Sequence, residues 1–259
     1  MRTGIMSLVA TGLTGALLLG LGAAPASSPA YAATPELGSG PAAGGTDVTL
    51  QLPISTVQVS ITYDFGLAVD EKGTVWAWGE NGYGQLGVNG TSNVTNGPRL
   101  ITATGSRKFI QIAAGTTCSF AIAEDGTLWA WGSNIGGKLG VNGTSNVTNG
   151  PRQITTTGSR KFVQVSAGQT HTLALAEDGT VWAWGANNQG ALGVNGTTNV
   201  TTGPMQITAT GSRKFAQVAA GAGYSLALDE DGNILVAGRT RSTDLLVPSP
   251  NAVKSAPPS

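Results

Sequence analysis

Short apolar runs broken by glycine and polar turns recur from about residue 47 to residue 238. Within 108–131 the pattern is clearest. Lys108 to Ala113 alternates, with Phe109, Gln111 and Ala113 on one side and Ile110 and Ile112 on the other. Ser119 to Ala123 alternates again, with Phe120 and Ile122 on one face. Thr127 to Trp131 follows across Glu124-Asp125-Gly126. A period of two predicts strands, and an Asp-Gly step favours the positive backbone angles of a tight hairpin. A further strand is predicted upstream at Arg99 to Ala103, before the turn Thr104-Gly105-Ser106-Arg107. In chain order these are strands a, b, c and d. The b–c connection is the loop Gly115 to Cys118, and a long polar linker, Gly132 to Gly150, follows strand d.

The pattern is periodic. Trp76-Ala77-Trp78-Gly79 returns as Trp129-Ala130-Trp131-Gly132 and Trp182-Ala183-Trp184-Gly185, 53 residues apart each time. The same offset carries Lys108-Phe109 to Lys161-Phe162 and Lys214-Phe215, and Asp125-Gly126 to Asp178-Gly179 and Asp231-Gly232. Projection backward makes Asp47 to Leu52 strand a of a first copy. Projection forward gives a fourth copy ending near Ala237, where Leu235 and Ala237 replace both Trp. The predicted fold is all-β: a β-propeller-type array of about four four-stranded antiparallel blades, at 47–97, 98–150, 151–203 and 204–238. A β-solenoid is the alternative, but its repeats are shorter and its sheets parallel.

The ends differ from this body. Arg2 precedes an uncharged run with an apolar stretch from Ile5 to Leu21, followed by Ala24-Pro25-Ala26 and Ala30-Tyr31-Ala32. This is the layout of a secretory signal, expected at 1–32 with cleavage after Ala32. Residues 33–46 read as a flexible leader, and 239–259 as a degenerate repeat end with a Pro/Ser-rich tail. The expected location is therefore secreted or at the cell surface. Lys+Arg and Asp+Glu are both 14, so no basic excess exists to capture nucleic acid. One Cys and one His rule out an internal disulfide and make a Cys/His metal site untenable. No cofactor motif is present, and no catalytic constellation is marked.

The repeated chemistry has structural readings. The Trp pairs lie two residues apart on one strand and fill the space between blades, with sugar stacking as the alternative. Arg107-Lys108 and Glu124-Asp125, with their copies, place interleaved basic and acidic turns at one end of the array. Six N-x-S/T triplets, beginning at Asn89, Asn93, Asn142, Asn146, Asn195 and Asn199, lie in the linkers, where Asn, Gly and Thr make turns. The b–c loops differ where the rest of the copies agree. Phe65, Cys118, His171 and Tyr224 occupy one register, with Tyr63, Thr117 and Gln169 beside them. Variable loops on a rigid scaffold suit recognition of one partner, and these seven residues are the candidates. A Cys118–His171 dyad requires adjacent blades to bring the two loops together.

The stretch Cys118 to Gly132 resembles the regulator of chromosome condensation repeat, as do Asn81-Gly82-Tyr83-Gly84-Gln85-Leu86-Gly87 and Lys108 to Gly115. The resemblance covers 47–238 and implies a propeller, usually of seven blades, against four units here. Family members exchange nucleotide on a small GTPase and bind chromatin, roles that a signal peptide and zero net charge exclude. A secreted bacterial branch with similar repeats inhibits β-lactamases through loops on one face. The expected function is thus a secreted, non-catalytic module binding a protein, or a glycan, through its b–c loops and linkers, with enzyme inhibition as a finer option. The alternatives are a hydrolase or lyase of extracellular polymers, and a half-propeller that two copies complete into an eight-blade ring.

Overall fold

The computed structural model describes residues 56–238 except Asn195. The signal, leader and tail, and the strand expected at Asp47 to Leu52, lie outside the described residues. The rest folds into four antiparallel sheets in chain order. The first sheet holds β1 (Thr56–Ile61), β2 (Phe65–Asp70), β3 (Val75–Gly79) and β4 (Val94–Leu100). The second holds β5 (Phe109–Ala114), β6 (Cys118–Ala123), β7 (Leu128–Gly132) and β8 (Val147–Gln153). The third holds β9 (Phe162–Ala167), β10 (His171–Ala176), β11 (Val181–Gly185) and β12 (Val200–Gln206). The fourth has three described strands: β13 (Phe215–Ala220), β14 (Tyr224–Asp229) and β15 (Ile234–Gly238).

The all-β array of four antiparallel sheets is as the periodicity predicts, but the phase of the repeat differs. Strand a does not open a blade. It starts earlier, at Val94, and pairs with the Trp strand before it, Leu100 opposite Trp76 and Val94 opposite Gly79. The long linker therefore folds back to cover the outer edge of strand d, which otherwise carries unpaired backbone groups. The segment 101–108 then crosses to the next sheet and is not a hairpin turn. Its first residue, Ile101, is buried, with its N–H bonded to Val75 O at 3.0 Å. Strand b also departs from simple alternation. A bulge between Phe109 and Gln111 puts Phe109 and Ile112 in the core and leaves Ile110 exposed.

The core lies between successive sheets. Alternate residues of the second and third strands point to opposite sides, so each sheet has one face toward each neighbour. Phe120, Ile122 and Leu128 pack against Ala174 and Trp184 of the next sheet. Leu67, Val75 and Ala77 meet Ile112, Ala121 and Trp131 in the same way. Trp131 and Trp184 are fully buried, which is the inter-blade filling expected of them. Phe120 and Trp184 meet edge to face, with centroids 6.1 Å apart.

The first strands β1, β5, β9 and β13 adjoin one another in turn. There a glutamine amide takes the place of a missing strand. Gln58 Nε2 donates to Ile112 O (3.1 Å) while Ile112 N donates to Gln58 Oε1 (2.9 Å). Gln111 does the same to Val165 (3.2 and 2.8 Å), and Gln164 to Val218 (3.2 and 2.8 Å). No comparable contact joins the fourth sheet to the first among the described residues, whose sheets form an open row.

Candidate binding surface

Glu80 N donates to Asp64 O (2.8 Å), Ser133 N to Thr117 O (2.9 Å) and Ala186 N to Thr170 O (3.0 Å). These bonds fasten the start of each linker to the loop between the first two strands of its sheet. Loops and linkers therefore share one end of the array. The opposite end carries the charged turns. There Arg107 and Arg160 lie over the Trp129 and Trp182 rings at 4.2 and 4.5 Å, and Arg160 pairs with Asp178 at 2.7 Å. The interleaving of basic and acidic turns is as the sequence predicts, although the basic set lies on the crossings between sheets. Hydroxyl and backbone bonds from Thr127 and Thr180 hold the Asp125 and Asp178 carboxyls below their usual range.

Each linker is built on one buried asparagine. Asn134 Oδ1 accepts from Leu139 N (2.8 Å), its Nδ2 donates to Gly143 O (2.9 Å), and its N–H bonds Asn146 Oδ1 (2.9 Å). Asn81 with Asn93, and Asn187 with Asn199, repeat the arrangement. Asn89 and Asn142 sit at φ of 65° and 62°, the left-handed region that asparagine tolerates. The asparagines of the triplets at 89, 93, 142, 146 and 199 thus shape the linkers.

The seven sequence candidates divide. Tyr63 is 81% exposed, Gln169 is exposed, Thr117 is half-buried and Tyr224 is 38% exposed. Phe65, Cys118 and His171 are buried, which corrects their placement on surface loops. Each opens a strand and does not end a loop, so its side chain shares the inward face with Phe120 and Ile122 or their equivalents. Burial raises the Cys118 thiol above its ordinary value, although the nearby Lys138 ammonium opposes the shift. Burial lowers His171 from 6.5 to about 4. Its Nε2 lies 2.8 Å from Ser225 Oγ, which itself donates to Ala191 O (2.6 Å), so Nε2 carries the proton. Nδ1 has no partner. No hydrogen bond joins Cys118 to His171, and the dyad is not formed.

The linkers were expected to take part, and they add side chains that sequence reading did not single out. Tyr83 and Ile135 are exposed, Ile135 by 65%. Lys138 is buried at the same end, its Nζ donating to Thr117 Oγ1 (2.8 Å) with Gln169 O at 3.5 Å. It ties two loops together and has no carboxylate partner among the described residues. The available signal was the divergence of Gly82-Tyr83-Gly84-Gln85 from Ile135-Gly136-Gly137-Lys138 and Asn188-Gln189-Gly190-Ala191 between matching neighbours. Among the described residues no three His, Cys, Asp or Glu side chains are placed to hold a metal ion.

Near-identical sheets with their variation gathered at one end define a propeller-type repeat scaffold. Comparison with known proteins narrows the class. The family described as RCC1-like domain matches residues 21–257, and the chain belongs to it. The probable E3 ubiquitin-protein ligase HERC6 of Homo sapiens is 31% identical over 190 residues, 72% of this chain but 18% of that protein. Yeast RCC1 (Prp20), crystallised bound to Kap60, is 26% identical at a TM-score of 0.65, covering 75% of this chain and 46% of that one. A structure of Prp20p from Saccharomyces cerevisiae, studied with its binding to Gsp1p and histones, gives 27%, 0.60, 71% and 44%. The chain thus spans less than half of each of these relatives.

Proposed function

We propose that the chain is a secreted, non-catalytic protein-binding module whose recognition surface is the loop-and-linker end. The carrying observation is the exposure of Tyr63, Tyr83 and Ile135 at that end, on sheets whose cores are nearly identical. Aromatic and large aliphatic anchors on rigid supports supply most of the energy of protein interfaces. The relatives support the reading, since yeast RCC1 is seen bound to Kap60 and Prp20p binds Gsp1p and histones. The secreted location rests on the apolar run and small-residue sites of 1–32. In this setting the finer role is occlusion of an extracellular enzyme by the exposed anchors.

The test is capture from culture filtrate and cell-envelope extract by the whole chain and by a variant with Tyr63, Tyr83 and Ile135 changed to Ala. A protein held by the first and lost by the second, with unchanged circular dichroism, supports the reading. Equal capture by both removes the site from this end. The mass of the exported chain checks cleavage after Ala32, and inhibition assays on a captured enzyme check the finer role.

A further inference from the structure

The fourth sheet ends in a face that every earlier sheet covers. On the first three sheets the residues pointing toward the next sheet are Phe65, Leu67 and Val69, then Cys118, Phe120 and Ile122, then His171, Leu173 and Leu175, and all are buried. Their counterparts Tyr224, Leu226 and Leu228 are exposed or half-exposed. Val75, Leu128 and Val181 are buried, whereas Ile234 at the same register is 54% exposed. Gln217 continues the series of Gln58, Gln111 and Gln164, each of which clamps the next first strand, but it is exposed and its side chain bonds nothing among the described residues.

The first sheet carries the complementary half. Val59 precedes Ile112 by one period, and Ile112, Val165 and Val218 are the residues whose backbone N–H and C=O the glutamines hold. Among the described residues no side chain holds Val59 in this way. Trp78 is half-buried, while Trp131 and Trp184 at its register are fully buried by the sheet before them.

We infer that this face binds the first sheet of a second copy, with Gln217 clamping Val59 and with Tyr224, Leu226, Leu228 and Ile234 packing against Trp76 and Trp78. The argument for this occupant is continuity. The junction is built three times inside the chain, and the two open ends carry its two matching halves. Such a contact is heterologous, and a pair that closes on itself uses it twice, giving a ring of eight sheets. Propellers of four to eight blades bound what can close.

Light scattering on the whole chain is expected to give twice the chain mass. Leu226→Asp spoils the donor face only, and Val59→Pro spoils the acceptor strand only, on an edge where proline is tolerated. Each variant alone is expected to be monomeric, and an equal mixture is expected to form a 1:1 complex through its one intact junction. Gln217→Ala, at an exposed position whose side chain bonds nothing among the described residues, is the variant safe for folding. It is expected to weaken the dimer about a hundredfold, roughly tenfold at each of two junctions. A monomeric whole chain overturns the proposal, as does a dimer indifferent to all three changes or a mixture that stays monomeric. A monomer in which residues 239–259 alone protect Ser225–Leu228 from hydrogen exchange overturns it as well, giving the face to the chain's own tail.

Discussion

At the scale of single residues, burial decides what the unusual side chains do. The His171 side chain has its one described bond to Ser225, and burial lowers its pKa to about 4. Between pH 6.5 and 4 the unfolded chain binds a proton there that the folded chain does not, so stability falls as pH drops through that window. The full loss is about 3 kcal/mol. His171→Phe places at this register the residue that Phe65 already supplies in the first sheet. Urea midpoints at pH 7.5 and pH 4.5 should differ clearly in the native chain and little in the variant. The Cys118 thiol, buried with its ionisation suppressed, should react with a thiol reagent only as fast as the protein unfolds. Labelling in the folded state at a rate near that of a free thiol would contradict this. The register shared by Phe65, Cys118, His171 and Tyr224 was legible in the sequence, but the direction of their side chains was not drawn from it. The parity that groups Cys118 with Phe120 and Ile122 was present, and a difference of one residue in the loop boundary hid it.

At the scale of elements, the strands were legible because each is short, alternating and bounded by glycine. Their grouping was not, because which neighbour a strand pairs with depends on where a linker returns, and local pattern does not encode that. Val94–Leu100 reads equally well as the start of one unit or the end of another until the exposed edge of β3 claims it. The glutamine clamps were hidden for a related reason. In the alternating pattern Gln111 falls beside Phe109 and Ala113 with no role marked, and only the adjacent first strand shows that the amides of Gln58, Gln111 and Gln164 replace backbone partners. Gln58→Ala should therefore cost far more than a surface change. It leaves the N–H and C=O of the buried Ile112 without partners, a loss of about 2–4 kcal/mol. Chemical denaturation read from Trp fluorescence checks this, with the exposed Val57→Ala as the near-neutral control.

At the scale of the whole molecule, the chain is a row in which each sheet depends on its neighbours, so stability should vary along it. The second and third sheets are covered on both faces and share the largest buried side chains, including Trp131, Trp184, Phe120 and Phe162. The fourth has one covered face and leaves Leu226, Leu228 and Ile234 open. Amide exchange should therefore be slowest in β6 and β10 and fastest in β14 and β15 when the chain is dilute, because local opening is cheapest where apolar contacts are fewest. Concentration separates the two sources of protection. Contacts within the chain are indifferent to it, whereas a junction between copies stabilises its faces by mass action. Raising the concentration through the association range should slow exchange in β14 and β15 and in the outer face of β2 and β3, leaving β6 and β10 unchanged. The same rise should do nothing for Leu226→Asp. If β14 and β15 are as protected as β6 at every dilution, the fourth sheet is covered from within the chain, and the row is not open in solution.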